Sequence, residues 1–263
     1  MTEELVLTVE VAARPDTVFG FFTDPESFDL WMGAAMGKAG IVPRAGGEVR
    51  VDFPAFGDFP ARRVRGEVTA MEPPRRFCFT WGYEGDDAFP PGSSTVEITL
   101  VPIPRGTRVE LRHAGLPTDE LREAHRGGFR LYLSVLAARA ADAEHLASLD
   151  GRVSAWFEAW NTDDRSARAA ALERCLGEKG EFRHAFAALR GRDDLSGHIG
   201  SSRTVMPGIR LEPRGRPELC HDTVRFGWQA VREGAVVSTG ENFAVLAGDG
   251  RFALVAGFTD RPG

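Results

Sequence analysis

The sequence predicts an α+β protein of two domains, each with a curved antiparallel sheet packed against helices. The length of 263 residues exceeds that of a typical single domain. Apolar residues alternate as in β-strands through most of residues 46–114 and then take helical spacing to about residue 149. After residue 151 the apolar residues again take helical spacing, and long strands follow. We therefore expect domains at residues 1–150 and 151–263.

Charge and composition exclude several classes of function. Residues 1–150 hold 16 basic and 23 acidic residues and the remainder 16 and 15, so the net charges are −7 and +1. Neither domain has the positive charge that nucleic acids select. No apolar run reaches the roughly 18 to 20 residues of a membrane span. The three distant cysteines predict no metal site and a cytoplasmic location, and the excess of Arg over Lys favours a bacterial source. Nucleotide-binding glycine motifs are missing, so we expect no cofactor.

The first domain begins with a strand and two short helices. Residues 5–11 alternate as in a half-buried strand, and Pro15 and Asp24 stand at helix start positions. A long helix should begin after the N-cap Thr118 and end before Gly151. Further strands are predicted around residues 49–53, 64–68, 77–81, 96–100 and 109–113.

Four segments of this domain resemble a known family. They are TDPESFDLWMG, GGEVRVDF, RGEVTAMEPPRRFCFTWGY and HAGLPTDELREAHRGGFRLYLSVLAA. They are similar to the SRPBCC (START-like) superfamily, and within it to bacterial homologues of the activator of heat shock protein 90 ATPase. The resemblance covers about residues 3–148 and implies a helix-grip fold, in which a curved sheet clasps a long helix. It implies no single function, because carriers, cyclases, hydrolases and chaperone partners share this scaffold.

The second domain begins with an aromatic helix face over residues 152–162 and ends in three strands, at about residues 219–231, 235–246 and 251–259. The segments AWFEAWNTDD, LRGRDDLSGHI, VRFGWQAV, GENFAVLAGDGRF and VAGFTD resemble SnoaL-like polyketide cyclases and ketosteroid isomerases of the nuclear-transport-factor-two-like superfamily. The resemblance covers roughly residues 152–260 and implies a cone-shaped α+β barrel around a cavity.

Two positions depart from the pattern of that superfamily. Related sequences often carry an Asp shortly after the phenylalanine of the first short strand, where this chain has Phe182-Arg183-His184. In the penultimate strand, Asn242 stands where related chains have an acidic residue. An isomerase or cyclase of this type needs a carboxylate base in its cavity. The two departures weaken the case for that reaction.

Two histidines are the candidate acid and base of the first domain. His113 lies on a strand face that should look into the space between sheet and helix, and His125 lies on the facing side of the helix. A neutral imidazole there can bind a ligand carbonyl or move a proton. The alternative is that both rings bond to other protein groups. The candidate apolar lining of this space is Trp31, Phe53, Phe77, Phe79, Trp81, Phe129 and Tyr132.

In the second domain, Asp222 should share a strand face with Phe226, and a dyad of His184 and Asp222 would serve as acid and base. We expect His198 at the exposed end of a short helix. The candidate cavity lining is Trp156, Trp160, Phe226, Trp228, Phe258 and Asn242.

The sequence leaves three functions open. The first is a soluble protein that holds a small hydrophobic molecule in an enclosed cavity. The second is a cyclase, isomerase or hydrolase of polyketide-like carbonyl compounds that uses a cavity histidine. The third is a cochaperone-like module that binds the heat-shock ATPase. We also expect a homodimer, because Val237, Phe243, Val245 and Val255 should form an apolar outer sheet face, unless the first domain covers it.

Overall fold

A computed structural model describes residues 4–33, 37–55, 57 and 60–260. The chain divides into two compact units, residues 1–143 and 144–263. The described residues form a seven-stranded sheet in the first unit and a six-stranded sheet in the second. The predicted α+β class is confirmed.

The first unit contains two short helices, the N-terminal part of a long helix, and the seven-stranded sheet. The helices α1 (Pro15–Thr23) and α2 (Pro25–Met32) both begin with proline, and Asp24 caps α2 by accepting the Ser27 N–H at 2.8 Å. The strand order is β1-β7-β6-β5-β4-β3-β2, with antiparallel neighbours, so β1 and β2 are the edges. The strands are β1 (Leu5–Val11), β2 (Lys38–Ile41), β3 (Glu48–Phe53), β4 (Arg62–Glu72), β5 (Arg76–Trp81), β6 (Ser94–Ile103) and β7 (Gly106–Ala114).

The long helix α3 (Asp119–Asn161) has 43 residues and contains the division between the units. Phe129 and Leu133 belong to the core of the first unit, and Val153 and Trp156 belong to that of the second. The prediction that this helix ends before Gly151 is wrong. A helical glycine costs only about 0.5–1 kcal/mol relative to alanine, whereas each large apolar side chain buried beyond it gains roughly 1.5–3 kcal/mol. Among the described residues, no helix is both long and apolar enough to cross a membrane.

The second unit adds two helices and the six-stranded sheet, in the order β10-β11-β12-β13-β8-β9. Asp164 caps the first of these helices by accepting the Ala167 N–H at 2.7 Å. The pair β13–β8 is parallel, and the other neighbours are antiparallel. The elements are α4 (Arg165–Cys175), β8 (Leu176–His184), β9 (Ala187–Arg190), α5 (Arg192–Val205), β10 (Arg210–Cys220), β11 (Thr223–Arg232), β12 (Ala235–Leu246) and β13 (Phe252–Thr259).

Two strand predictions in this unit need correction. The predicted strand 219–231 is interrupted by a turn, because His221 has a positive φ of 56° that a strand does not allow. In β13, the pairing shifts by one residue between Phe252 and Leu254. This bulge directs Val255, which is fully buried beside Ala244, to the inner face, although the alternation of the sequence predicts it on the outer face.

Candidate functional site

The two candidate histidines of the first unit lie side by side. His113 is on β7 and His125 on α3, and their ring centroids are 5.1 Å apart in an edge-to-face arrangement. Both side chains are buried. The face assignments made from the sequence therefore bring the two rings together, and their hydrogen bonds decide what each imidazole can do.

Both ring nitrogens of His125 have protein partners. Nδ1 lies 2.8 Å from the Leu121 carbonyl oxygen, and Nε2 accepts the indole N–H of Trp81 at 3.1 Å. This pattern requires a neutral ring with its proton on Nδ1. Burial lowers the pKa of His125, which agrees with the neutral form. The Tyr83 hydroxyl, 3.5 Å from Nε2, also borders this ring.

His113 has one partner and one unpaired nitrogen. The Ser94 hydroxyl donates to the Trp81 carbonyl at 3.0 Å, so Nε2–H of His113 donates to the Ser94 oxygen at 2.8 Å. Nδ1 is then an acceptor, buried and without a partner among the described residues. Burial, followed by the neighbouring His125, lowers the pKa of His113 to about 3, so the ring is neutral at physiological pH.

The predicted lining rings of the first unit mostly pack against one another. Trp81 and Phe129 have centroids 5.4 Å apart, and Phe53 stacks on Tyr132 at 6.3 Å, where burial raises the pKa of the Tyr132 hydroxyl to about 12. Phe79 is fully buried between Phe77 and Trp81. The Trp31 indole instead donates to the Phe21 carbonyl at 3.0 Å and packs on Phe22 and Phe28, away from the histidines. A surface pocket of about 570 Å³ opens beside Tyr83, but neither histidine lines it.

In the second unit, one row across the sheet brings together Phe226, Asn242, Gly257 and His184. Phe226 pairs with Asn242, Asn242 pairs with Gly257, and the parallel register of β13 and β8 places Gly257 beside His184. The missing side chain of Gly257 leaves space between its neighbours. A Cβ there would lie 3.0 Å from Oδ1 of Asn242 and 3.4 Å from Cδ2 of His184.

The Phe182 ring is the centre of the aromatic side chains at this place. Its centroid is 6.3 Å from that of His184, 6.2 Å from that of His198 and 5.7 Å from that of Trp160. The ring centroids of Trp160 and His198 are 6.1 Å apart. The predicted lining rings Trp156 and Phe226 are buried next to this group, and Trp228 lies over Gly240. We call Trp160, Phe182, His184, His198 and Asn242 the inner-face cluster.

The indole N–H of Trp160 is buried and has no hydrogen-bond partner among the described residues. Two further polar side chains belong to the cluster: the amide of Asn242, a residue that is 4% exposed, and the half-buried imidazole of His198. His184 Nε2 lies 3.2 Å from the Thr259 hydroxyl. Burial and then His198 lower the pKa of His184, which favours a neutral ring at pH 7.

The structure overturns three further predictions for this unit. The His184–Asp222 dyad is wrong, because Asp222 precedes β11 beside Leu246, four residues along the strand from the row of His184. His198 lies within α5 against Trp160 and Phe182, because that helix extends to Val205 instead of ending near His198. Phe258 is 57% exposed and lies outside the inner face. The i, i+2 spacing of Phe182 and His184 is the sequence signal that would have identified Phe182.

The part of the chain that the structure describes contains no group of three or more His, Cys, Asp or Glu that could hold a metal ion. The side chains of the inner-face cluster can donate and accept hydrogen bonds, and a neutral His184 can accept a proton.

Comparisons with known proteins show what the chain is similar to. A protein from Silicibacter pomeroyi named AHSA1 is 28% identical, with 53% of this chain and 98% of that chain covered and a TM-score of 0.44. A protein of the SnoaL-like family from Agrobacterium tumefaciens strain C58 is 24% identical, with 42% and 96% covered and a TM-score of 0.41. No curated protein matches the chain. Residues 12–141 match the family described as Activator of Hsp90 ATPase homolog 1-like protein, the family that the sequence of the first unit predicted.

Proposed function

We propose that the second unit binds a small, largely apolar molecule that carries a hydrogen-bond acceptor such as a carbonyl. The observation behind this proposal is the buried, unpaired N–H of Trp160 in the inner-face cluster, which also contains the polar side chains of His198 and Asn242. Buried polar groups normally bond within the protein, so a buried donor left unpaired among the described residues favours a partner from outside. The Trp160 N–H can only donate and the Asn242 amide can donate, so both suit an acceptor on the ligand.

The surroundings of these groups support an apolar ligand. Trp156, Phe182 and Phe226 are buried aromatic rings next to them. Small-molecule sites in proteins are mostly apolar, with a few polar groups that fix orientation. The first unit is less suited to this role because His125 uses both ring nitrogens within the protein.

The aromatic ketone prodan is a suitable probe, because its carbonyl is an acceptor and its fluorescence responds to the polarity around it. Trp160→Phe keeps an aromatic ring and removes the N–H. Loss of one hydrogen bond of about 0.5–1.5 kcal/mol should weaken binding roughly 2- to 13-fold. The matched control is Trp31→Phe, whose N–H bonds the Phe21 carbonyl in the first unit. It should lower thermal stability and leave prodan affinity unchanged.

Native mass spectrometry of the purified protein, compared with denatured protein, would reveal a molecule retained from the cell. Unchanged prodan affinity in Trp160→Phe would contradict the proposed site. Equal losses in both tryptophan variants would mean that binding follows general stability. If prodan does not bind and no molecule is retained, the proposal is rejected.

Proton transfer is a second candidate function, and the lowered pKa of His184 favours it. A neutral imidazole in the inner-face cluster can accept a proton from the carbon next to a bound carbonyl. Prodan contains such a carbon in its propionyl group, so exchange of that position in D₂O can be followed by mass spectrometry. His184→Phe should remove the enzyme-dependent exchange while prodan still binds. Exchange equal to the uncatalysed rate in the parent protein would leave binding as the function.

We also propose a homodimer formed through the outer sheet face of the second unit. Phe243 and Phe258 are 42% and 57% exposed, and their rings pack edge to face with centroids 5.9 Å apart. Apolar surface of this kind is costly to leave in water and suits an isologous contact. Val255 is not part of this face, because the bulge in β13 turns it inward.

A further inference from the structure

Strand β1 lies at one edge of the sheet in the first unit and borders a groove. Among the described strands it pairs only with β7, so a row of its main-chain N–H and C=O groups has no strand partner there. A groove of about 340 Å³ lies along this strand. It is lined by residues 6–9 of β1 and by Arg126, Arg130, Leu133 and Ser134 of α3.

The wall formed by β1 includes the main chain. Four consecutive residues line the groove, although successive side chains of a strand point to opposite faces. The edge of the strand must therefore face the groove. Leu7 and Leu133 are buried and form an apolar floor, while Val6 is 42% exposed. The groove thus combines main-chain hydrogen-bonding groups with apolar contact surface.

The charged side chains that line this groove are all positive. Among the described residues that line it there are two arginines and no carboxylate. Arg126 donates to Glu123 at 3.0 Å, whereas Arg130 is exposed and forms no ion pair with a described residue. The carboxylates at the two ends of β1 are already paired, Glu4 with Arg112 at 3.6 Å and Glu10 with Arg108 at 3.7 Å.

We propose that this groove binds an extended, acidic segment of a partner protein, which adds as a strand to the free edge of β1. Main-chain hydrogen bonds to an edge strand supply affinity, and side-chain contacts supply specificity. A carboxylate of the segment pairs with Arg130, which forms no ion pair with a described residue, and an apolar side chain contacts Leu7 and Leu133. Because the chain as a whole carries a net charge of −6, binding depends on these local arginines.

The test uses two fluorescent peptides of seven alternating residues, one of Glu and Val and the other of Lys and Val. Fluorescence anisotropy should show that the acidic peptide binds the full chain and the basic one does not. Raising the salt concentration should weaken binding. Arg130→Glu should weaken it by about tenfold or more, because a charged pair becomes a repulsion. Arg139→Glu is the matched control on the same helix, outside the groove, and should bind as the parent does.

A second measurement locates the contact. Amide hydrogen exchange should slow at residues 6–9 when the acidic peptide is added, because new strand pairing protects these N–H groups. Circular dichroism and thermal melting establish that both arginine variants are folded. The proposal is overturned if the acidic peptide fails to bind, if the basic peptide binds equally well, if Arg130→Glu binds like Arg139→Glu, or if protection appears elsewhere. None of these results depends on the ligand proposed for the second unit.

Discussion

Replacing Asn242 with leucine should stabilise the second unit and weaken its ligand binding at the same time. Asn242 is 4% exposed, and its amide makes no hydrogen bond with a described residue. A largely buried polar group without a protein partner costs up to about 1–3 kcal/mol, and leucine has a similar size without that cost. The amide therefore lowers stability in the absence of ligand, as expected for a group whose partner is the ligand.

The expected magnitudes follow from this contact pattern. Removal of the unpaired amide should raise the free energy of unfolding of the second unit by about 1 kcal/mol, or roughly 4 °C in melting temperature. Loss of the amide hydrogen bond to the ligand should weaken prodan binding about 2- to 13-fold. Gain of stability with loss of affinity is the signature of a binding residue, because a structural residue would lose stability when removed.

Asn161→Leu is the matched control for this experiment. Asn161 donates to the Leu211 carbonyl at 2.7 Å and accepts the Leu211 N–H at 2.8 Å, so it is a fully bonded asparagine of the same unit. Its replacement should cost about 1–3 kcal/mol, because two main-chain groups lose their partner. Differential scanning calorimetry of both variants, beside prodan titration, makes the comparison. If Asn242→Leu destabilises the protein as much as Asn161→Leu does, the Asn242 amide is structural and is not a ligand-binding group.

Three other predictions concern different parts of the chain. Gly257→Ala should weaken prodan binding, since its Cβ would lie 3.0 Å from Oδ1 of Asn242, whereas Gly197→Ala, with open space around it, should leave binding unchanged. Because the pKa of His113 is about 3 in the folded protein and near 6.5 when unfolded, the unfolded state takes up the proton first as pH falls. Stability should therefore drop by up to about 1.4 kcal/mol per pH unit below pH 6.5, and thermal melting at pH 7 to 4 should show a shallower drop in His113→Phe. Phe243→Glu should convert the proposed dimer to a monomer in light scattering, and a parent protein that is already monomeric would exclude the dimer.

The architecture of the first unit could be predicted because each of its signals is local. A sheet with one buried face produces a period of two in the sequence, and prolines and Asp24 mark the helix starts. The juxtaposition of His113 and His125 follows from the faces on which each lies. Their hydrogen bonds to Ser94, Trp81 and Leu121 could not be predicted, because they join residues that only the folded chain brings together.

The second unit was harder to predict where local propensity and tertiary packing disagree. Strand β10 contains Pro213, Pro217 and Gly215, which argue against a strand, yet it is tolerated as an edge of the sheet. His198 packs against Trp160 and Phe182 because α5 continues to Val205. The sequence gives only weak signals for where a helix ends, so this position could not be predicted. The inner-face cluster was therefore only partly predicted, through Trp160, His184 and Asn242.

The bulge in β13 has a consequence for changes in chain length. Ala253 is the extra residue between Phe252 and Leu254, and it lets two residues three positions apart, Phe252 and Val255, both be buried. Deleting Ala253 would leave a strand of regular alternation with Phe252 and Val255 still on the same side. Removal of Leu254 would give the same alternation, whereas removal of a single residue from 255 to 258 would turn part of the strand over. A shortened β13 is therefore viable at the bulge, and homologues that differ by a single residue in the last strand should carry the gap there.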